Sequence, residues 1–219
     1  ECRDIWHRHQ DFDASEDRLA VGGRLVDLST PYGVHEEIFL PVNGAHQTEN
    51  AATAVAAAEA FFGRQLDADI ISAAFADLTL PARFEIVQRQ PMIILDGAHN
   101  PPACRVVAET LFQDFATEEQ PVLVIGVNRP RDPQQLLDAL NAKEFSKIIA
   151  TAAGWPRAVP ADELATAIEA SGVVVEAVPR VSDAIDRAIE ISGENGTVLV
   201  TGSLYVASEA RSQLAETSR

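Results

Sequence analysis

The chain has 219 residues, 47% of them hydrophobic, which is enough for one large core or two smaller ones. A formal net charge of −16 repels nucleic-acid phosphates, which argues against a DNA or RNA scaffold but not against a small nucleotide held by local donors. No apolar run approaches the ~20 residues of a membrane span, no signal-peptide pattern opens the chain, and two cysteines, Cys2 and Cys104, give no disulfide framework, so a cytoplasmic protein is expected.

The first eighty residues differ in pattern from the rest. "RLAVGGRLVDLS" (18–29) places apolar-alternating arms around Gly22-Gly23 and predicts a hairpin turning on those two glycines, because a type I′ turn needs φ > 0 at both positions. "EEIFLPV" (36–42) predicts another strand. "ENAATAVAAAEAFFG" (49–63) is Ala-rich, free of proline and closed by Gly63, and predicts a helix; "DADIISAAFADL" (67–78) predicts a second. Pro81 in "TLPARFE" then marks a hinge.

Beyond the hinge, apolar runs at 92–95, 121–127, 147–151, 173–178 and 197–201 alternate with helical stretches at about 101–115, 133–142, 160–171, 182–192 and 203–216. Asn100-Pro101, Asp132-Pro133 and Ser182 stand where an N-cap or first-turn residue belongs. Strand–helix units in series predict an α/β fold, a doubly wound, mostly parallel sheet covered on both faces. "RFEIVQR" (83–89) is expected to pair antiparallel with 92–95 as an edge. The domain reading is 1–80 and 84–219.

Chemistry concentrates in three places. In "MIILDGAHNPPA" (92–103), Asp96 ends a strand just before a helix, at the edge where ligands of open α/β sheets bind. A carboxylate there suits a ribose diol, and His99 suits a base; the alternative is that Asp96 and Asn100 only make the turn and the cap. In "NGAHQTENAA" (43–52), His46 and Asn50 fall at a helix N-terminus where a side-chain amide can read a base edge; the alternative is a cap made by Thr48 or Asn50. Arg83 in the hinge could clamp a phosphate. Ser203 in "TGSLYVASEA" (201–210) either caps a helix or meets an anion, and the arginines of "NRPRD" (128–132) are either an anion contact or a solvated loop. His7 and His9 form no convincing metal site. The chain lacks G-x-G-x-x-G, the phosphate loop G-x-x-x-x-G-K-[ST] and G-x-S-x-G, which disfavours a dinucleotide fold, a phosphate cradle of its own and a serine hydrolase.

The blocks "LPVNGAHQTENAATAVAAAEAFFG" (40–63), "LPARFEIV" (80–87), "ILDGAHNP" (94–101) and "VTGSLY" (200–205) resemble bacterial folylpolyglutamate synthase/dihydrofolate synthase, within the Mur ligase superfamily, over essentially the whole chain. The resemblance implies a Rossmann-like C-terminal domain preceded by the tail of a central ATPase domain. It implies ATP between the two domains, with Asn50 at the adenine, Arg83 at the phosphates, Asp96 at the ribose and His99 beside the nucleotide. His46, Ser203 and Tyr205 are carried over as possible substrate or anion contacts. The implied reaction phosphorylates the carboxyl group of dihydropteroate or a reduced folate, and the amino group of L-glutamate then attacks the acyl phosphate. Mg²⁺ is implied, its ligands mainly in an N-terminal part that this sequence does not contain, and a monomer is usual for the family. The expectation is therefore a piece of a longer ligase, inactive alone. Ala82 stands where the family has glycine, and "GVNRPRD" (126–132) lacks the usual Asp-Lys-Asp. The rival readings are a peptidoglycan-precursor ligase fragment and a non-catalytic nucleotide-binding module.

Overall fold

The structure is a computed structural model that describes residues 5–115, 119–170 and 172–217. The chain divides into two compact units, Glu1–Leu80 and Pro81–Arg219.

In the first unit, β1 (Asp13–Ala20), β2 (Gly23–Thr30) and β3 (Gly33–Leu40) form an antiparallel sheet in that order. The hairpin predicted from the glycine pair exists, but it turns on Val21 and Gly22; only Gly22 has the left-handed φ of 83°, and Gly23 already pairs with Ala20. Gly23 is needed for another reason: a Cβ there would stand 2.0 Å from the Leu40 carbonyl oxygen. Period-two alternation buries Val26 and Leu28 of β2 and Ile38 and Leu40 of β3 on one face. α1 (His46–Phe62) covers that face with Ala51, Ala52 and Val55, and α2 (Ala68–Ala76) adds Ile71. Gly63 ends α1 at φ 67°.

α1 starts three residues before the expected Glu49, and the cap expected from Thr48 or Asn50 is not there. Its first turn is tight, with Gln47 N–H donating to Gly44 and Thr48 N–H to Ala45. Thr48 Oγ1 donates back to the Ala45 carbonyl at 2.7 Å, and Asn50 Nδ2 donates to Gln47 Oε1 at 3.0 Å. At the far end of α1, Glu59 is fully buried and accepts from Thr30 Oγ1, from His35 Nε2 at 2.8 Å and from the Leu66 N–H at 2.8 Å. Burial opposes its ionisation, but these donors outweigh it and hold the carboxyl below the usual range.

In the second unit, β4 (Glu85–Arg89), β5 (Met92–Leu95), β6 (Val122–Ile125), β7 (Lys147–Ala152), β8 (Val175–Arg180) and β9 (Thr197–Thr201) form one sheet, order β4-β5-β9-β6-β7-β8. β4 runs antiparallel to β5, as the sequence predicts, and the other pairs are parallel. Alternate residues of each strand face opposite cores. Ile94, Leu123, Ile148 and Leu199 meet α3 (Pro101–Glu109), α4 (Pro133–Ala139) and α5 (Ala161–Glu169). Ile93, Val124, Ile149 and Val200 meet α6 (Val181–Ser192) and α7 (Leu204–Thr217). The chain is thus an α/β protein with a doubly wound sheet. α3 stops short of the expected 115 because Thr110–Asp114 widens into a π-type turn. Asn100 and Asp132 cap α3 and α4 by accepting from Ala103 and Gln134, whereas Ser182 lies inside the first turn of α6.

Candidate functional site

In the second unit the segment before β4 and the loop after β5 are tied through Asp96. Its side chain is 6% exposed; Oδ2 accepts the Phe84 N–H at 2.7 Å and Oδ1 the Ala98 N–H at 2.6 Å. Burial pushes its carboxyl above the usual range, against those two N–H groups and the nearby Arg83 and His99. The turn-making role weighed for Asp96 is therefore filled, and one lone pair remains on each oxygen. Asn100 is the N-cap of α3, with Pro101 and Pro102 following it in the first turn.

The Ala82 carbonyl accepts twice, from Gly97 N–H at 2.9 Å and from Arg83 Nη1 at 3.0 Å. Ala82 holds φ 54°, the left-handed conformation that glycine adopts freely, so the alanine keeps that backbone shape at the cost of strain. Gly97 stands in a close approach: a Cβ there would lie 2.9 Å from Arg83 Nη1 and 2.9 Å from Leu204 Cδ1, both ends of side chains. The Arg83 side chain is otherwise exposed. His99 Nδ1 bonds the Gly97 carbonyl at 2.8 Å. A carbonyl oxygen only accepts, so Nδ1 carries the proton of that bond and Nε2 is turned away from it.

β9 runs between β5 and β6, and Ser203 follows it after Gly202, just ahead of α7. Thr201 Oγ1 lies 3.5 Å from the Ala98 carbonyl, so the β9 end adjoins the Asp96 loop. Ser203 is 1% exposed; Tyr205 N–H reaches its Oγ at 3.2 Å, the capping geometry. The Tyr205 ring stacks on Trp155, centroids 4.3 Å apart. Of the two arginines in 128–132, Arg129 is engaged by Glu163 at 2.6 Å.

In the first unit Asn50 is exposed and His46 half-buried on the first turn of α1. Gln47, 5% exposed, orients the Asn50 amide by accepting a hydrogen bond from its Nδ2. His9 pairs with Asp13, and among the described residues no group of three His, Cys, Asp or Glu could hold a metal ion. Reasoning from the sequence missed Gln47, Trp155 and Asn128. The strand-end position of Asn128 in "VIGVNRP" was a signal for the last of these.

Comparison with known proteins gives the family of the chain. The family described as "Mur ligase, glutamate ligase domain" matches residues 82–204. The dihydrofolate synthase/folylpolyglutamate synthase of Mycobacterium tuberculosis is 35% identical over 213 residues, covering 89% of this chain and 43% of that protein. Its Bacillus subtilis counterpart is 31% identical over 204 residues, covering 91% and 46%. The crystal structure of Mycobacterium tuberculosis folylpolyglutamate synthase complexed with ADP and AMPPCP superposes with a TM-score of 0.88 at 33% identity, over 94% of this chain and 48% of that one. The chain thus spans less than half the length of these relatives. No helix among the described residues is long and apolar enough to cross a membrane. With its doubly wound sheet and the glutamate ligase domain at 82–204, the chain belongs to the Mur ligase family.

Proposed function

We propose that this chain forms part of an ATP-dependent ligase that joins L-glutamate to dihydropteroate or to the γ-carboxyl group of folates. The observation that carries the reading is the 35% identity to a dihydrofolate synthase/folylpolyglutamate synthase across 89% of the chain. ATP, when bound, supplies the phosphoryl group that activates the acceptor carboxylate. The residues present suit a nucleotide. Asp96 keeps a lone pair on each oxygen for the ribose hydroxyls, Arg83 keeps guanidinium N–H groups for phosphate oxygens, and the oriented amide of Asn50 offers an acceptor and a donor to a base edge. His99, held by its Nδ1 bond to the Gly97 carbonyl, presents Nε2 beside the nucleotide. Mg²⁺ does not fit in the same way: no cluster of metal ligands exists among the described residues, so no step is assigned to a metal held by this chain.

The 219 residues contain no phosphate loop, so the chain alone is expected to bind ATP–Mg²⁺ weakly and to turn over nothing. Calorimetric titration with ATP–Mg²⁺ and a coupled assay with dihydropteroate and L-glutamate test this. Turnover by the chain alone contradicts the reading. In the ligase containing this sequence, Asp96→Ala should raise the KM for ATP far more than that for L-glutamate. Unchanged ATP dependence removes Asp96 from the ribose and leaves it its turn-making role.

A further inference from the structure

α3 and α4 cover one face of the sheet and α7 the other, while β9 lies between β5 and β6. The chain leaving β9 therefore parts from both neighbouring loops. That is a topological switch point, where open α/β sheets open a crevice for ligands. Ser203 stands at this point.

Ser203 Oγ is held by two donors. Asn128 Nδ2 reaches it at 2.8 Å across 75 positions of sequence, and the Tyr205 N–H reaches it at 3.2 Å. A hydroxyl has two acceptor lone pairs and one proton, so both lone pairs are taken and donation alone remains. Among the described residues no hydrogen bond gives that proton an acceptor. Ser203 is 1% and Asn128 8% exposed, and buried polar groups are normally satisfied. Asn128 cannot swing away easily: its backbone bridges Ala158, and the flanking bonds Arg129 N–H to Arg157 O and Val159 N–H to Val127 O measure 2.8 and 2.9 Å.

We propose that Asn128 is a positioning residue that makes the Ser203 hydroxyl a donor only, aimed at an anionic oxygen of a substrate, carboxylate or phosphoryl, in this crevice. The proposal rests on the ligase reading above. Its physical content is the polarity of one bond. Asn128→Asp reverses it: a carboxylate accepts the Ser203 proton and withdraws it from the substrate. Asn128→Leu only removes one donor, frees a lone pair and weakens the orientation.

The test measures kcat and both KM values in the ligase containing this sequence, for wild type, Asn128→Asp, Asn128→Leu, Ser203→Ala and the double variant Asn128→Asp/Ser203→Ala. Asn128→Asp and Ser203→Ala should each raise the KM of one substrate roughly 10-fold or more, with the double variant no worse than Ser203→Ala, and Asn128→Leu should lose less in the same KM. A rise confined to L-glutamate identifies a carboxylate; a rise confined to ATP identifies a phosphoryl oxygen. Wild-type constants in Asn128→Asp, or losses that multiply in the double variant, overturn the proposal and leave the proton to water. If Asn128→Asp does not fold, Asn128→Leu decides: equal rises in both KM values with lowered thermal stability reduce Asn128 to a structural role. An inactive wild type overturns the ligase reading itself, and the proposal with it.

Discussion

Asp96 Oδ2 accepts the Phe84 N–H at 2.7 Å, so the carboxylate proposed for a ribose also fixes the chain entering β4. One side chain thus carries a structural and a binding role, and the two can be separated. Asp96→Asn keeps the shape but turns an amide N–H toward a backbone N–H. It should destabilise the second unit by about 1.5–3 kcal/mol, the range for hydrogen bonds to charged groups. Urea unfolding followed by Trp155 fluorescence checks this.

Acid should separate the two units. Glu59 has its folded pKa below the ordinary 4.5, so its stabilisation is present above that value and is lost as pH falls through the folded pKa. Asp96 has its folded pKa above the ordinary 3.8, so its contribution is full below that value and is lost as pH rises through the folded pKa. Glu176 and Asp183 of the second unit are also held low, by Arg187 and Arg180, but their pairs are solvent-screened and weigh less. On acidification the first unit should therefore unfold at higher pH than the second. Trp6, edge-on to Tyr32, and Trp155 report one unit each once the other is replaced by phenylalanine. Glu59→Gln should flatten the Trp6 transition.

Two glycines should respond differently to alanine. Gly97→Ala collides only with the ends of two side chains, and the lost chain entropy of the unfolded state offsets part of the cost, so stability should change by less than about 1 kcal/mol. It displaces the Arg83 guanidinium, so kcat/KM for ATP in the ligase should fall on the order of 10–100-fold. Gly126→Ala meets Val206 Cγ2 at 2.6 Å and the backbone Thr151 O at 2.8 Å, and should cost about 1–3 kcal/mol in stability.

Cys104 is fully buried, and burial with Asp96 nearby pushes its thiol up to about 12. In a Cys2→Ser background, a thiol reagent at pH 8 should label Cys104 only as fast as the second unit opens. Its labelling rate should rise with urea in step with the Trp155 signal. Fast labelling without denaturant would contradict the burial.

Strand and helix order were legible in the sequence because the cues are local: alternation in "RLVDLS", proline after Asn100, glycine after Phe62. The turn at 21–22 was misplaced because Gly23 looks like a turn residue, yet its smallness answers to Leu40, seventeen positions on in the chain. The cap expected of Thr48 failed because a hydroxyl in a first turn can donate backward as well as accept. At the site, Asp96, His99 and Ser203 could be named from strand ends. Asn128 also follows a strand end, but nothing local singles it out from its neighbours, because its partner lies 75 residues away. No rule of spacing connects those two positions until the sheet order is known.

The placement of β9 has a consequence for synthesis. Strands emerge from a ribosome in chain order, yet β9, the last to emerge, is the one that joins β5 to β6. Until residue 201 has cleared the exit tunnel, β5 and β6 each present an unpaired apolar edge to whatever else is in the vicinity. The nascent second unit is therefore an obligate client of delay: it can collapse early, but the register that brings the loops of β5, β6 and β9 together forms only after the other five strands of its sheet have been made.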